Sequence, residues 1–127
     1  KTNLTPEAFR ANLHSLVRQV RQAGATPILM TPPCYARQAA PNGLGDHHNV
    51  PLGQFAQICR AVAAETKAPL VEHFHHWSRK EAGGVDLQDW TTDLYHPNPR
   101  GGREIAEVML PAVLQALGPQ RQQGRTK

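Results

Sequence analysis

Apolar residues recur at helical spacing in three stretches of the chain, and two short runs that are apolar on both faces lie between them. Phe9, Leu13, Leu16, Val17 and Val20 fall at i, i+4, i+7, i+8 and i+11, a single stripe on an amphipathic helix. Thr5-Pro6-Glu7 supplies its start: a hydroxyl to cap, proline at the first helical position and an acid in the first turn. Gly24 supplies its stop. Leu52 to Lys67 returns to the same period, with Phe55, Ile58, Cys59, Val62 and Ala63 on one side. Arg103 to Leu117 forms the third stretch, with Ile105, Val108, Met109, Ala112, Val113 and Leu117 as its apolar face. Asn98 and Pro99 suit its cap and first turn, and Gly118-Pro119 ends it. The runs Pro27–Thr31, closed by Pro32-Pro33, and Pro69–His73 have the character of buried parallel strands. Phe74 to Glu81 adds one or two helical turns before Gly83-Gly84.

Strands that alternate with helices predict an α/β domain with a parallel sheet. Two strands alone would leave open edges and uncovered apolar surface. Residues 1–117 are therefore expected to be the C-terminal part of a larger α/β domain, with at least two more strands upstream or on a partner. Residues 34–50 and 85–98 have no period and are rich in turn formers. Loops of that length often border binding sites.

The net charge of +4 narrows the partners less than it first suggests. Arg121, Arg125 and Lys127 carry much of it in a stretch without acids, so residues 118–127 are expected to form a disordered basic tail. The rest is nearly neutral, and no nucleic-acid partner is expected. No apolar run approaches the roughly 20 residues that span a bilayer, so no membrane association is expected either. Cys34 and Cys59 lack the C-x-x-C spacing and are expected to be two buried thiols. The chain begins at Lys1 without methionine, which suggests processing and leaves the compartment open.

Candidate chemistry concentrates in Asp93-Leu94-Tyr95-His96-Pro97-Asn98. A carboxylate three residues before a histidine, on a turn that opens into a helix, has the parts of a general base and its orienting partner. A nucleophile is missing: the chain has two serines, Ser15 and Ser78, and neither sits in a setting that would activate it. His47 and His48 lie in the first long loop and, with Tyr95, are candidates for the mouth of a substrate site. The cluster Glu72, His73, His75 and His76 has no metal-ligand spacing, and neither a metal nor a cofactor is expected. Trp77 and Trp90 suit core or lid packing.

The run Asp93-x-x-His96-Pro97-Asn98-x-x-Gly101, set before a final helix, resembles the last block of the SGNH (GDSL-type) hydrolases. Thr5 to Gln22 resembles the helix after that family's Gly-x-Asn-Asp block, Gly24–Pro33 the next strand, and Ala68–Val71 the last strand. The resemblance covers nearly all of residues 4–117. It implies a flavodoxin-like three-layer α/β/α domain that hydrolyses esters through a Ser-His-Asp triad, with His96 as base and Asp93 as its partner. It implies small-molecule or carbohydrate esters as substrates, and the similarity to bacterial esterases is compatible with a secreted or periplasmic setting. The family's Gly-Asp-Ser nucleophile block and Gly-x-Asn-Asp block are absent from this sequence. The chain by itself is therefore expected to have no esterase activity, supplying only His96 and Asp93 to a parent enzyme. The competing expectation is a non-catalytic SGNH-like module that binds a glycan or a partner.

Overall fold

The computed structural model describes residues 4–118. Helix α1 (Pro6–Gln22), strand β1 (Leu29–Thr31), helix α2 (Asn49–Thr66), strand β2 (Leu70–Glu72), helix α3 (His73–Ala82), a 3-10 turn (Leu87–Trp90) and helix α4 (Pro99–Leu117) follow in order. The two strands pair in parallel, Leu29 opposite Leu70 and Thr31 opposite Glu72, with α2 as the crossover. A parallel pair needs such a crossover because the chain must return to the starting edge.

The ends of α1 and α4 form as their sequences dictate. Thr5 Oγ1 accepts the Ala8 N–H at 3.1 Å, and Gly24 turns away at φ +78°. Asn98 Oδ1 accepts the N–H groups of Arg100 and Gly101 at 2.9 and 3.1 Å. These bonds satisfy donors that a helix start leaves unpaired.

Two clusters of buried side chains hold the layers together. Val17 of α1, Cys59, Val62 and Ala63 of α2, and Leu29 and Ala68 form the first. Cys34 and Ala36 from the loop after β1, Trp77 of α3, and Leu87 and Trp90 of the 3-10 turn form the second. Helices α1 and α2 pack on one side of the strands and α4 with α3 on the other, the arrangement of a three-layer α/β/α domain. Cys34 and Cys59 are buried, unbridged and in different clusters, and burial raises both thiols above their ordinary pKa.

Several expectations change. The strands are three residues each, shorter than the apolar runs that contain them. The α3 helix is longer than one or two turns and starts directly after β2. The reason crosses the sheet: Thr31 Oγ1, fully buried, accepts the Phe74 N–H at 3.0 Å and so caps α3 from β1. Leu16 is 54% exposed, leaving Leu13 and Val17 as the part of the α1 stripe that faces the first cluster. Met30 is 39% exposed although its run is apolar on both faces. It lines a groove of roughly 730 Å³ together with Phe9, Phe55, His73 and Ile105. Pro111 lies inside α4, which also leaves Leu110 and Leu114 exposed. No described helix is long and apolar enough to cross a membrane. The expected tail beyond Gly118 lies outside the described residues.

Candidate active site

The turn that carries Asp93 and His96 is held from both sides. Behind it, Thr92 N–H donates to the His96 carbonyl at 2.9 Å, and Asn98 N–H donates to the Trp90 carbonyl at 2.9 Å. Asn98 Nδ2 donates to the Asp89 carbonyl at 2.9 Å while its oxygen caps α4, so one side chain joins the 3-10 turn to the helix. Gly101 sits in the first turn of α4 against the Trp90 carbonyl. A Cβ there would lie 2.2 Å from that oxygen, so the close approach of helix and 3-10 turn requires glycine.

Within the turn, Leu94 adopts φ +73°, a left-handed conformation that costs a branched residue energy. Its side chain packs against the second cluster. Asp93 Oδ1 accepts the N–H groups of Tyr95 and His96 at 3.2 and 2.8 Å. Its other oxygen, Oδ2, accepts the His96 Nδ1–H at 2.6 Å. The His96 backbone N–H and then its ring hold the Asp93 carboxyl below the ordinary aspartate value, with Tyr95 N–H adding to the effect. Asp93 therefore stays ionised where a free aspartate would begin to take up a proton.

Both side chains are exposed, His96 by 70% and Asp93 by 54%. With Nδ1 committed to the carboxylate, Nε2 carries the lone pair and makes no hydrogen bond among the described residues. An imidazole in this state can take a proton at Nε2 while its tautomer is fixed from behind. The turn is tied to the loop that leaves the carboxyl end of β1, because Ala36 N–H donates to the Leu94 carbonyl at 2.9 Å. The carboxyl ends of parallel strands are where open α/β sheets bind ligands.

The other candidates are placed unequally. Tyr95 packs its ring against His96, with centroids 5.1 Å apart at 67°. It stacks face to face on Tyr35 at 4.0 Å, and Tyr35 stacks in turn on His48 at 4.6 Å. Tyr35 was not singled out by its sequence context; its position on the loop that follows β1, four residues past Thr31, is the one signal it carries. His47 is engaged in its own loop, Nε2–H donating to the Ala36 carbonyl at 3.2 Å and Nδ1 accepting Asn49 N–H at 3.1 Å. Ser15 Oγ accepts from Gln19 within α1, and Ser78 Oγ donates to the Phe74 carbonyl within α3. Trp77 and Trp90 are buried and meet edge to face at 5.2 Å.

Residues 1–103 match the model of the GDSL-like lipase/acylhydrolase family. The chain belongs to this family. No curated protein matches the chain significantly. Among solved structures it is similar to an α/β hydrolase enzyme from the metagenome of Lake Arreo, Spain, at 22% identity and a TM-score of 0.68, over 87% of this chain and 48% of that one. It is similar to an acetylxylan esterase from Geobacillus stearothermophilus, at 21% identity and a TM-score of 0.65, over 86% of this chain and 47% of that one. It is also similar to the acetyl xylan esterase AlAXEase, at 17% identity and a TM-score of 0.72, over 89% of this chain and 58% of that one. At these identities the shared property is the fold. The GDSL-like chain spans about half the length of the solved structures it matches.

Proposed function

We propose that this chain supplies the acid–base half of a serine ester hydrolase. The observation that carries the reading is the 2.6 Å bond from His96 Nδ1–H to Asp93 Oδ2, with Nε2 open to solvent. The family membership supports ester hydrolysis as the reaction class. The nucleophile is a serine outside residues 1–127, since Ser15 and Ser78 are bonded within their own helices.

In the reaction, the serine Oγ–H proton passes to His96 Nε2 as Oγ bonds to the ester carbonyl carbon. Asp93 stabilises the imidazolium that results and does not itself take the proton. The tetrahedral intermediate collapses with loss of the alkoxide, which receives the proton from Nε2 and leaves as alcohol. A water then repeats the sequence on the acyl-serine, giving the free acid and restoring the serine. The substrate class we propose is a small acyl ester of a carbohydrate, because two of the structural neighbours are described as acetylxylan esterases. No step needs a metal or a cofactor.

Labelling with a fluorophosphonate tests this reading directly. The hydrolase that carries this chain should be labelled at one serine, and His96→Ala should abolish the labelling. Residues 1–127 by themselves should remain unlabelled. Labelling that survives in the His96→Ala variant at the wild-type rate would overturn the assignment.

A further inference from the structure

An imidazole that is 70% exposed is poorly restrained by one hydrogen bond. The bond to Asp93 fixes Nδ1 but leaves the ring free to swing about that contact and to visit other rotamers. The direction of Nε2 must therefore be set by packing, and the ring in contact with His96 is that of Tyr95.

Tyr95 is itself held. It lies nearly parallel to Tyr35, with 12° between the planes, and the Tyr35–His48 pair is similarly parallel at 15°. Tyr35 cannot drift, because Asn49 grips its backbone from both sides. Asn49 Oδ1 accepts the Tyr35 N–H at 2.7 Å, and Asn49 Nδ2 donates to the Tyr35 carbonyl at 2.8 Å. Asn49 is the first residue of α2, so the grip is anchored in a long helix. The bond from Ala36 N–H to the Leu94 carbonyl closes the circuit beside Tyr95. Leu94, in its left-handed conformation, is the strained joint that turns Tyr95 onto Tyr35 while both N–H groups reach Asp93. Burial first, then Tyr95 and Asp93, push the Tyr35 phenol above its ordinary value.

We infer that Tyr35 and Tyr95 are positioning residues for His96, with Asn49 as their anchor: the ring stack aims Nε2 at the reacting serine. The inference rests on the reading of His96 as the general base, but its structural half can be measured separately. Aromatic faces, not hydroxyls, do the positioning. Tyr35→Phe and Tyr95→Phe should therefore keep kcat within about threefold, whereas Tyr35→Leu and Tyr95→Leu should lower it by on the order of 10²-fold with little change in KM, the cost of a base displaced by about an ångström. Asn49→Ala should give a smaller loss of the same kind.

Two readouts decide the matter. The first is steady-state ester hydrolysis by the hydrolase that carries this chain, with kcat, KM and the pH profile of kcat measured for each variant. The second is NMR of the same hydrolase without substrate, which needs no turnover. The His96 ring protons should be displaced from random-coil positions by the Tyr95 ring current and return to them in Tyr95→Leu; in Tyr35→Leu they should broaden or average. The phenylalanine variants should leave them in place. Folded leucine variants with unchanged kcat would overturn the inference. So would phenylalanine variants as impaired as the leucine ones, or His96 ring shifts indifferent to Tyr95. If the wild-type hydrolase turned over no ester, the functional reading would fall, and the ring shifts would still decide whether the stack orients His96.

Discussion

Asp93 and His96 show how much of the chemistry a local pattern can carry. Their spacing of three on a turn was legible because a turn brings such side chains together without help from the rest of the fold. The bonds confirm the contact at 2.6 Å between Nδ1 and Oδ2 and add two backbone N–H groups on Oδ1. Tyr35 and Asn49 were not legible. They lie more than forty residues before the turn, and tertiary contacts, the bond between Ala36 and Leu94 and the stack of Tyr35 on Tyr95, bring them to it. Asp93→Asn should cost the hydrolase on the order of 10⁴-fold in kcat, less than loss of the histidine, because an amide can present its N–H and so disfavour the useful tautomer. Steady-state rates of the purified variant check this, and a loss under tenfold would mean that Asp93 only shapes the turn. Because its folded pKa is depressed, the Asp93 contribution to the folded state is present above the ordinary aspartate value and is lost as the pH falls through the lower folded value.

At the scale of elements, helix ends that depend on neighbouring residues were readable, and ends that depend on distant ones were not. Thr5 and Asn98 cap the helices that directly follow them, with Pro6 and Pro99 in the first turn, so the sequence around them contains the whole argument. The start of α3 has no capping side chain of its own; Thr31 provides it across 43 positions of sequence. Thr31→Val keeps the shape but removes the acceptor, and should destabilise the fold by about 1 kcal/mol in denaturant titrations, the usual cost of a lost cap. Gly101→Ala should cost more, about 3 kcal/mol, because its Cβ would meet the Trp90 carbonyl oxygen and push α4 away from the 3-10 turn. The same titrations check it, and an effect below 1 kcal/mol would show that the helix can shift without strain. Met30 marks the opposite limit. A run apolar on both faces signals a buried strand, but Met30 is left 39% exposed in the groove it lines.

For the molecule as a whole, the α/β order and the parallel pairing followed from periodicity, and the three-layer arrangement from the family resemblance. The two separate clusters did not, since which helix meets which is a property of the assembled layers. His73 carries a whole-molecule consequence. It is 3% exposed, both ring nitrogens lack a partner among the described residues, and it borders the groove beside β1. Burial, and then nearby His76, hold its pKa below the ordinary value of 6.5. Between 6.5 and the lower folded value the unfolded chain binds a proton that the folded chain refuses. Its contribution to stability is therefore full above that window, declines as the pH falls through it and is level below. Denaturation midpoints at pH 7.5 and 5 should differ less for His73→Gln than for the wild type; an equal difference would contradict the assignment. The central claim, that Asp93 and His96 form the acid–base pair of an ester hydrolase, is tested most directly by the kcat/KM of the His96→Ala variant on a small acetyl ester. The expected result is a fall on the order of 10⁶-fold from the wild-type hydrolase with the fold intact. A folded variant that retains activity within tenfold of the wild type would contradict it.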